Sequence, residues 1–278
     1  MMRLLTSRVR SLGSRVRNRA DRIRTNLELW WDWAIGRKTV RRPPEALILG
    51  IGGGWFIGET YLKHFRELCN LQHGEAVLDV GCGVGRMAVP LIEYLGPAGR
   101  YEGFDIMRVN VDWCRRAITR RWPNFQFQHA DIFNREYNPR GAVRCGEYRF
   151  PYPDSTFDFA FLTSVFTHLL PPDAEHYLKE LGRVLKPGGR CLATFFLLNA
   201  ESNALVDAGK GLFALHPREG VYRVNSREVP EACIALDEPF VAEAARAAGL
   251  TADRPHYGAW CGREPGFDFQ DIVVLRKN

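Results

Sequence analysis

The chain has no Cys-x-x-Cys pair among its 7 cysteines and no secretory signal peptide, which argues against a disulfide framework and predicts reduced thiols in a cytosolic compartment. No apolar run reaches the roughly 18 to 20 residues needed to span a bilayer, so no segment is expected to cross a membrane. Internal repeats and low-complexity tracts are missing as well, and no metal-ligand set is assigned. Gly52-Gly53-Gly54 has no Lys-Ser or Lys-Thr after it and is not a phosphate loop. What remains is an ordinary globular composition: 278 residues, 46% hydrophobic and 25% charged, enough to bury a full α/β core.

The informative stretch is Val77-Leu78-Asp79-Val80-Gly81-Cys82-Gly83-Val84-Gly85-Arg86, an apolar strand that ends in an acid and a glycine-rich turn. The glycines permit positive φ and close backbone approach, and the apolar spacing of Met87, Val89, Leu91, Ile92 and Leu95 predicts a helix leaving the turn. Strand, turn and helix N-terminus form a ligand cradle. A dinucleotide fingerprint would need a further glycine where Arg86 stands, and Asp79 would repel a pyrophosphate. The same charge suits the ammonium group of an amino-acid-like cofactor.

The alternating Asp-x-Gly-x-Gly-x-Gly pattern resembles the first motif of class I S-adenosylmethionine-dependent methyltransferases of bacterial small-molecule or glycan type. Further pieces follow in that family's order. Tyr101 to Ile106 reads as a second strand ending in Asp105, about twenty residues past Gly85, where a carboxylate accepts both ribose hydroxyls. Phe125 to Ala130 alternates as a third strand and runs into Asp131-Ile132-Phe133, which resembles the adenine-edge motif. Asp131 would accept from the adenine amino group, with Ile132 against the ring. Phe157 to Ser164 is a nearly continuous apolar strand, expected to be buried on both faces, whose end, Thr163 to His168, should face the transferred methyl. Leu185-Lys186-Pro187-Gly188-Gly189-Arg190 looks like the turn before a fifth strand, Cys191 to Leu198. The resemblance thus implies S-adenosyl-L-methionine as cofactor, held by Asp79, Gly81, Cys82, Gly83, Gly85, Arg86, Asp105, Ile106, Asp131, Ile132, Thr163 and Ser164. It also implies a doubly wound, mostly parallel seven-stranded sheet with helices on both faces. The helix Phe240 to Gly249 precedes the final pair, and the last strand, Gln270 to Arg276, runs antiparallel.

The net charge of +6 is unevenly spread, because the first 42 residues hold about 12 Lys or Arg against 3 acids. Leu5, Val9, Leu12, Val16, Ala20, Ile23, Leu27, Trp30 and Ala34 recur at spacings of three or four, predicting a basic amphipathic helical arm over residues 1–42. Three roles fit it: packing within the chain or an oligomer, docking of residues 1–36 on a membrane surface, or mitochondrial targeting by residues 1–24. The first implies nothing about location; the second makes a cytoplasmic protein peripheral at the inner membrane surface. No nucleic-acid partner is expected, since no base-stacking motif accompanies the charge.

Residues 43–73 form a helical lead-in through Tyr61, Leu62, Phe65 and Leu68. Trp55 or Phe56 would either close over the cofactor or serve as packing. The domain of residues 74–278 carries insertions at 134–153 and 199–239, expected over the carboxyl ends of the strands. His168 is the candidate general base for a hydroxyl acceptor, with His216 and His256 as fallbacks; the competing reading of His168 is a capping or packing residue. Tyr137, Arg144, Tyr257 and Trp260 are candidate substrate contacts suited to a polar acceptor. The expected activity is methyl transfer to an oxygen of a carbohydrate, glycan or lipid-linked acceptor. Its alternatives are N-methylation of a small amine, a non-catalytic cofactor-binding membrane protein, and a nicotinamide oxidoreductase.

Overall fold

The structure, a computed structural model, describes residues 40, 42–44, 47, 48, 54, 55 and 57–278. Phe56 and the expected arm, except for Val40 and Arg42, lie outside the described residues, and so do its proposed contacts. From Ile57 the chain runs α1 (Ile57–Cys69), β1 (Ala76–Val80), α2 (Ala88–Leu95), β2 (Arg100–Asp105) and α3 (Arg108–Cys114), the last continued by a π turn to Thr119. Next come β3 (Phe125–His129), β4 (Phe157–Leu162), α4 (Pro171–Val184) and β5 (Leu185–Phe195). The remainder is β6 (Leu197–Leu198), α5 (Ala200–Asp207), β7 (Tyr222–Val224), β8 (Ile234–Asp237), α6 (Glu238–Ala247), β9 (Leu250–Ala252) and β10 (Asp271–Lys277).

Seven strands form one sheet in the order β3-β2-β1-β4-β5-β10-β9. The first five are parallel, and β10 pairs antiparallel with both β5 and β9. The chain winds outward from β1 to β3 on one side, then restarts at β4 on the other, so the order reverses between β1 and β4. Such a switch point leaves a crevice at the carboxyl ends of its strands, with helix starts on either side.

Strand alternation sends side chains to two cores. Val77, Tyr101, Phe125, Phe159 and Phe161 meet Phe65 of α1, Leu91 of α2 and Val111 of α3 on one face. Leu78, Val80, Phe104, Ala160 and Leu162 meet Tyr177, Leu178 and Leu181 of α4 and Val241 and Ala245 of α6 on the other. Helix α4 starts with Pro171 and Pro172 in its first turn, where no intrahelical N–H is missed.

Two features differ from the sequence expectation. The Lys-Pro-Gly-Gly turn lies within β5 as a register shift, where Leu185 pairs with Phe157 but Arg190 pairs with Phe159. The expected continuous strand to Leu198 also breaks: β5 ends at Phe195, and Leu197–Leu198 turns into a separate three-stranded sheet, β6-β8-β7, built with the 199–239 insertion. The buried Asp271 carboxylate fixes this departure by accepting the Leu197 amide at 2.7 Å. Among the described residues, no helix is long and apolar enough to cross a membrane.

Candidate active site

A cavity of about 560 Å³ opens where β1, β2 and β4 end. Its inner half is the glycine turn: Gly81, Gly83 and Gly85 take φ of 80°, 52° and 78°. A Cβ on Gly81 would lie 2.6 Å from Cγ2 of Val165, so the turn and the end of β4 approach too closely for any larger residue. Asp105 at the tip of β2 anchors this turn. One of its oxygens accepts the Gly83 amide at 2.8 Å and the other the Met107 amide at 2.7 Å. Burial pushes this carboxyl up, and those two amides pull against it. Each oxygen keeps a second lone pair for a ligand hydroxyl.

Asp105, Gly81, Cys82, Gly83, Arg86, Ile106, Ile132, Thr163 and Ser164 all line this cavity. Gly85 does not; it stands behind the turn, where a Cβ would meet Ile118 at 2.7 Å. Asp79 is also corrected. It shares the face of Val77, so strand parity turns its carboxylate beneath the loop, with only 1% exposure. Its Oδ2 accepts the Tyr101 hydroxyl at 2.5 Å, and its Oδ1 has no hydrogen-bond partner. Burial raises this carboxyl to about 8. Asp131 is exposed and outside the lining, its Oδ1 accepting from Asn138 at 3.2 Å. β3 has ended at His129, and the neighbouring Ile132 is the residue that turns inward.

Ser164 also lines the site, and with φ of 59° it holds a left-handed conformation that is costly outside glycine. Its amide donates to Thr194 Oγ1 at 2.8 Å, and its hydroxyl stands 3.2 Å from Gln270 Oε1. β5 and the residue preceding β10 thus hold the outer end of β4 in place.

The outer half of the cavity contains His168, Tyr137 and Arg144. Nδ1 of His168 is 2.7 Å from the carbonyl oxygen of Glu231, which only accepts, so this nitrogen carries the proton. Nε2 then carries the lone pair and accepts from the Tyr137 hydroxyl at 3.4 Å. Burial lowers the His168 pKa below its usual 6.5, favouring this neutral form despite the Glu231 carbonyl. Burial likewise raises the Tyr137 phenol.

Trp260 and Tyr257 do not reach this cavity. Trp260 is fully buried beside Phe196, and its Nε1 donates to Asp271 at 2.7 Å, making it a core anchor for the β5–β6 departure. Tyr257 faces a different hollow and donates to Glu238 at 2.8 Å, with the Arg263 guanidinium 4.7 Å above its ring. His216 and His256 are likewise outside the lining, and so is Trp55, which packs against the α1–α3 core.

Several lining residues were not legible locally. Asn110, in the first turn of α3, is buried, and its Nδ2 lacks a well-formed hydrogen bond. Asp173 comes from α4 and Glu231 from the turn before β8, elements that only the tertiary fold brings to β4. Position after the ribose acid was the one signal available for Asn110.

This geometry fits an adenosyl amino-acid cofactor. Narrow glycine backbone faces its methionine portion, Asp105 suits the ribose hydroxyls, and Ile106, Ile132 and Phe133 line an apolar slot for a purine.

Residues 77–189 match the family model described as a methyltransferase domain. Curated relatives include an uncharacterized methyltransferase of Schizosaccharomyces pombe, 30% identical over 53% of this chain and 51% of that protein. Another is a demethylmenaquinone methyltransferase of Anoxybacillus flavithermus, 34% identical over 49% of this chain and 51% of that protein. The chain spans about half the length of the curated relatives it matches.

Two solved structures share the fold. A Pyrococcus horikoshii protein aligns with a TM-score of 0.54 at 19% identity, covering 79% of this chain and 89% of that one. The Burkholderia thailandensis 1,6-didemethyltoxoflavin-N1-methyltransferase, solved with 1,6-didemethyltoxoflavin and S-adenosylhomocysteine, aligns with a TM-score of 0.53 at 17% identity, covering 91% and 87%. Residues 77–189 thus match a methyltransferase domain, set in a fold that these two solved structures share.

Proposed function

We propose that this protein transfers a methyl group from S-adenosylmethionine to a hydroxyl oxygen of a small carbohydrate, glycan or lipid-linked acceptor. The observation that carries the oxygen reading is His168, whose Nδ1 proton is committed to the Glu231 carbonyl and whose Nε2 lone pair faces the cavity. A hydroxyl acceptor must lose a proton as it is methylated, whereas a neutral amine needs no base to begin.

When bound, the cofactor supplies an electrophilic methyl on a cationic sulfur. On this reading the chain's own residues do the rest. Asp105 and Asn110 hold the ribose, while Gly81 and Gly83 allow close backbone approach. Val165, Leu169 and Leu170 keep the reacting region apolar. His168 Nε2 accepts the hydroxyl proton, and the Glu231 carbonyl stabilises the imidazolium that results. Tyr137, hydrogen-bonded at that nitrogen, orients the ring until the acceptor replaces it.

The proposal extends to residues 1–36 holding the enzyme at a membrane surface, which liposome flotation with and without them tests. For the activity itself, S-adenosylhomocysteine titration followed by methyl-labelled cofactor with fractionated glycan and lipid extracts is decisive. Label confined to protein or nucleic acid would overturn it.

A further inference from the structure

Ser164 turns the chain where β4 ends. Phe157–Leu162 runs extended, Ser164 takes φ of 59°, and Phe166–His168 follows as a 3₁₀ turn. A serine in that left-handed conformation is strained, because its Cβ crowds the backbone, and it persists only where neighbours over-determine it. Two side chains from elsewhere in the sheet do so here. The Ser164 amide donates to Thr194 Oγ1 at 2.8 Å, and the Ser164 hydroxyl donates to Gln270 Oε1 at 3.2 Å. Thr194 Oγ1 in turn donates to the same Gln270 oxygen at 2.5 Å. Thr194 is fully buried and its oxygen already accepts the Ser164 amide, so its single proton has the Gln270 oxygen as its partner. That assigns the orientation of the Gln270 amide. One oxygen, on the residue just before β10, therefore gathers both hydroxyls that hold the turn. The turn bears directly on the glycine loop: Thr163, Ser164 and Val165 line the cavity, and Val165 Cγ2 stands 2.6 Å from where a Cβ of Gly81 would lie.

We infer that Gln270 is a positioning residue for the cofactor: its amide oxygen holds Ser164 left-handed, and that conformation sets where Thr163 and Val165 stand against the glycine turn. Gln270 is itself outside the lining and acts through Ser164 and Thr194. This role is independent of which atom accepts the methyl. Without the Gln270 oxygen the Ser164 and Thr194 hydroxyls lose their acceptor, and Ser164 relaxes toward an extended or right-handed conformation that carries Val165 off Gly81. Glycine at position 164 would adopt the left-handed conformation unaided. Gln270 is therefore needed only while residue 164 has a side chain.

The test is a double-variant cycle on the full chain, with S-adenosylhomocysteine affinity read by calorimetry and folding by urea denaturation. Gln270→Leu, which has no acceptor, should weaken that affinity on the order of tenfold in the wild-type background, the scale of one strained backbone conformation. In a Ser164→Gly background the same change should weaken it by less than about twofold. The urea midpoint should fall in both backgrounds, because the buried Thr194 hydroxyl is left without its acceptor in each. Only the affinity recovers, whereas a purely structural Gln270 would lower affinity and stability together in both. Unchanged affinity in Gln270→Leu, an equal loss in the two backgrounds, or loss of binding by Ser164→Gly alone would overturn the inference, the last by placing the Ser164 hydroxyl itself in the cofactor's hold. If Gln270→Leu does not fold, Thr194→Val removes the acceptor of the Ser164 amide and runs the same cycle; failure of both to fold also overturns it. Wild-type protein that binds no S-adenosylhomocysteine would instead remove the cofactor reading.

Discussion

Nδ1 of His168 donates to the Glu231 carbonyl at 2.7 Å, which joins the turn after β4 to the turn before β8 and leaves Nε2 to accept, from the Tyr137 hydroxyl at 3.4 Å. Glu231, within the insertion of residues 199–239, thereby sets the tautomer of a residue sixty-three positions before it.

Replacing that acceptor should separate chemistry from binding. His168→Asn is expected to lower the turnover of a hydroxyl acceptor by roughly 10²–10⁴-fold, the usual contribution of a general base. S-adenosylhomocysteine affinity, measured by calorimetry, should remain close to wild type. Turnover within twofold of wild type would assign His168 to packing.

The pH profile follows from burial. Because the folded His168 pKa lies below 6.5, the base is available down to lower pH than a solvated histidine allows. The acid limb of kcat against pH should therefore fall below 6.5 and vanish in His168→Asn. Between the folded value and 6.5 the unfolded chain binds the extra proton, so this residue also makes stability rise with pH across that window. An acid limb above 6.5 contradicts the role.

Asp105 and Asp131 should behave differently although both stand at the ends of strands. Asp105→Ala removes the anchor of the glycine turn and the ribose acceptor together, and S-adenosylhomocysteine should bind at least about tenfold more weakly. Asp131→Ala, exposed and outside the lining, should change that affinity by less than about twofold. Comparable losses in titration calorimetry would restore Asp131 to the adenine edge.

Asp79 makes a stability prediction with its own sign. Its carboxyl is raised from 3.8 to about 8 by burial, so the folded state holds a proton that the unfolded chain releases. Stability from this group is complete below the unfolded value and is lost as pH rises toward 8. Asp79→Asn keeps an oxygen for the Tyr101 hydroxyl and removes the titration. Urea denaturation across that range should show a flatter dependence on pH in the variant, and an unchanged slope would refute the assignment.

Trp260 should prove structural. Trp260→Ala leaves a cavity beside Phe196 and removes one of the donors to Asp271 Oδ2, which keeps the Leu197 amide, costing about 3–5 kcal/mol in chemical denaturation. Turnover of a hydroxyl acceptor, measured under conditions where the variant is folded, should not shift; a selective loss of turnover would return it to the acceptor site.

The sequence by itself determined the strand–turn–helix cradle, the parallel succession of strands and the acid at the end of β2. All of these depend on residues close in the chain: glycines whose φ must be positive, apolar runs buried on both faces, and a strand tip facing the turn beside it. Where the same reasoning failed, a side chain's direction was at issue. Asp79 has the right residue type at the right spacing, yet strand parity turns it under the loop against Tyr101. Trp260 and Tyr257 have the composition of a recognition loop, yet one is spent anchoring Asp271 and the other faces Glu238. Tertiary structure alone brought Glu231 to the acceptor side, because it stands sixty-three positions beyond His168 and carries no spacing signal. The two converge only because the second sheet packs over the end of β4, where the Glu231 carbonyl sets the His168 tautomer and burial favours its neutral form.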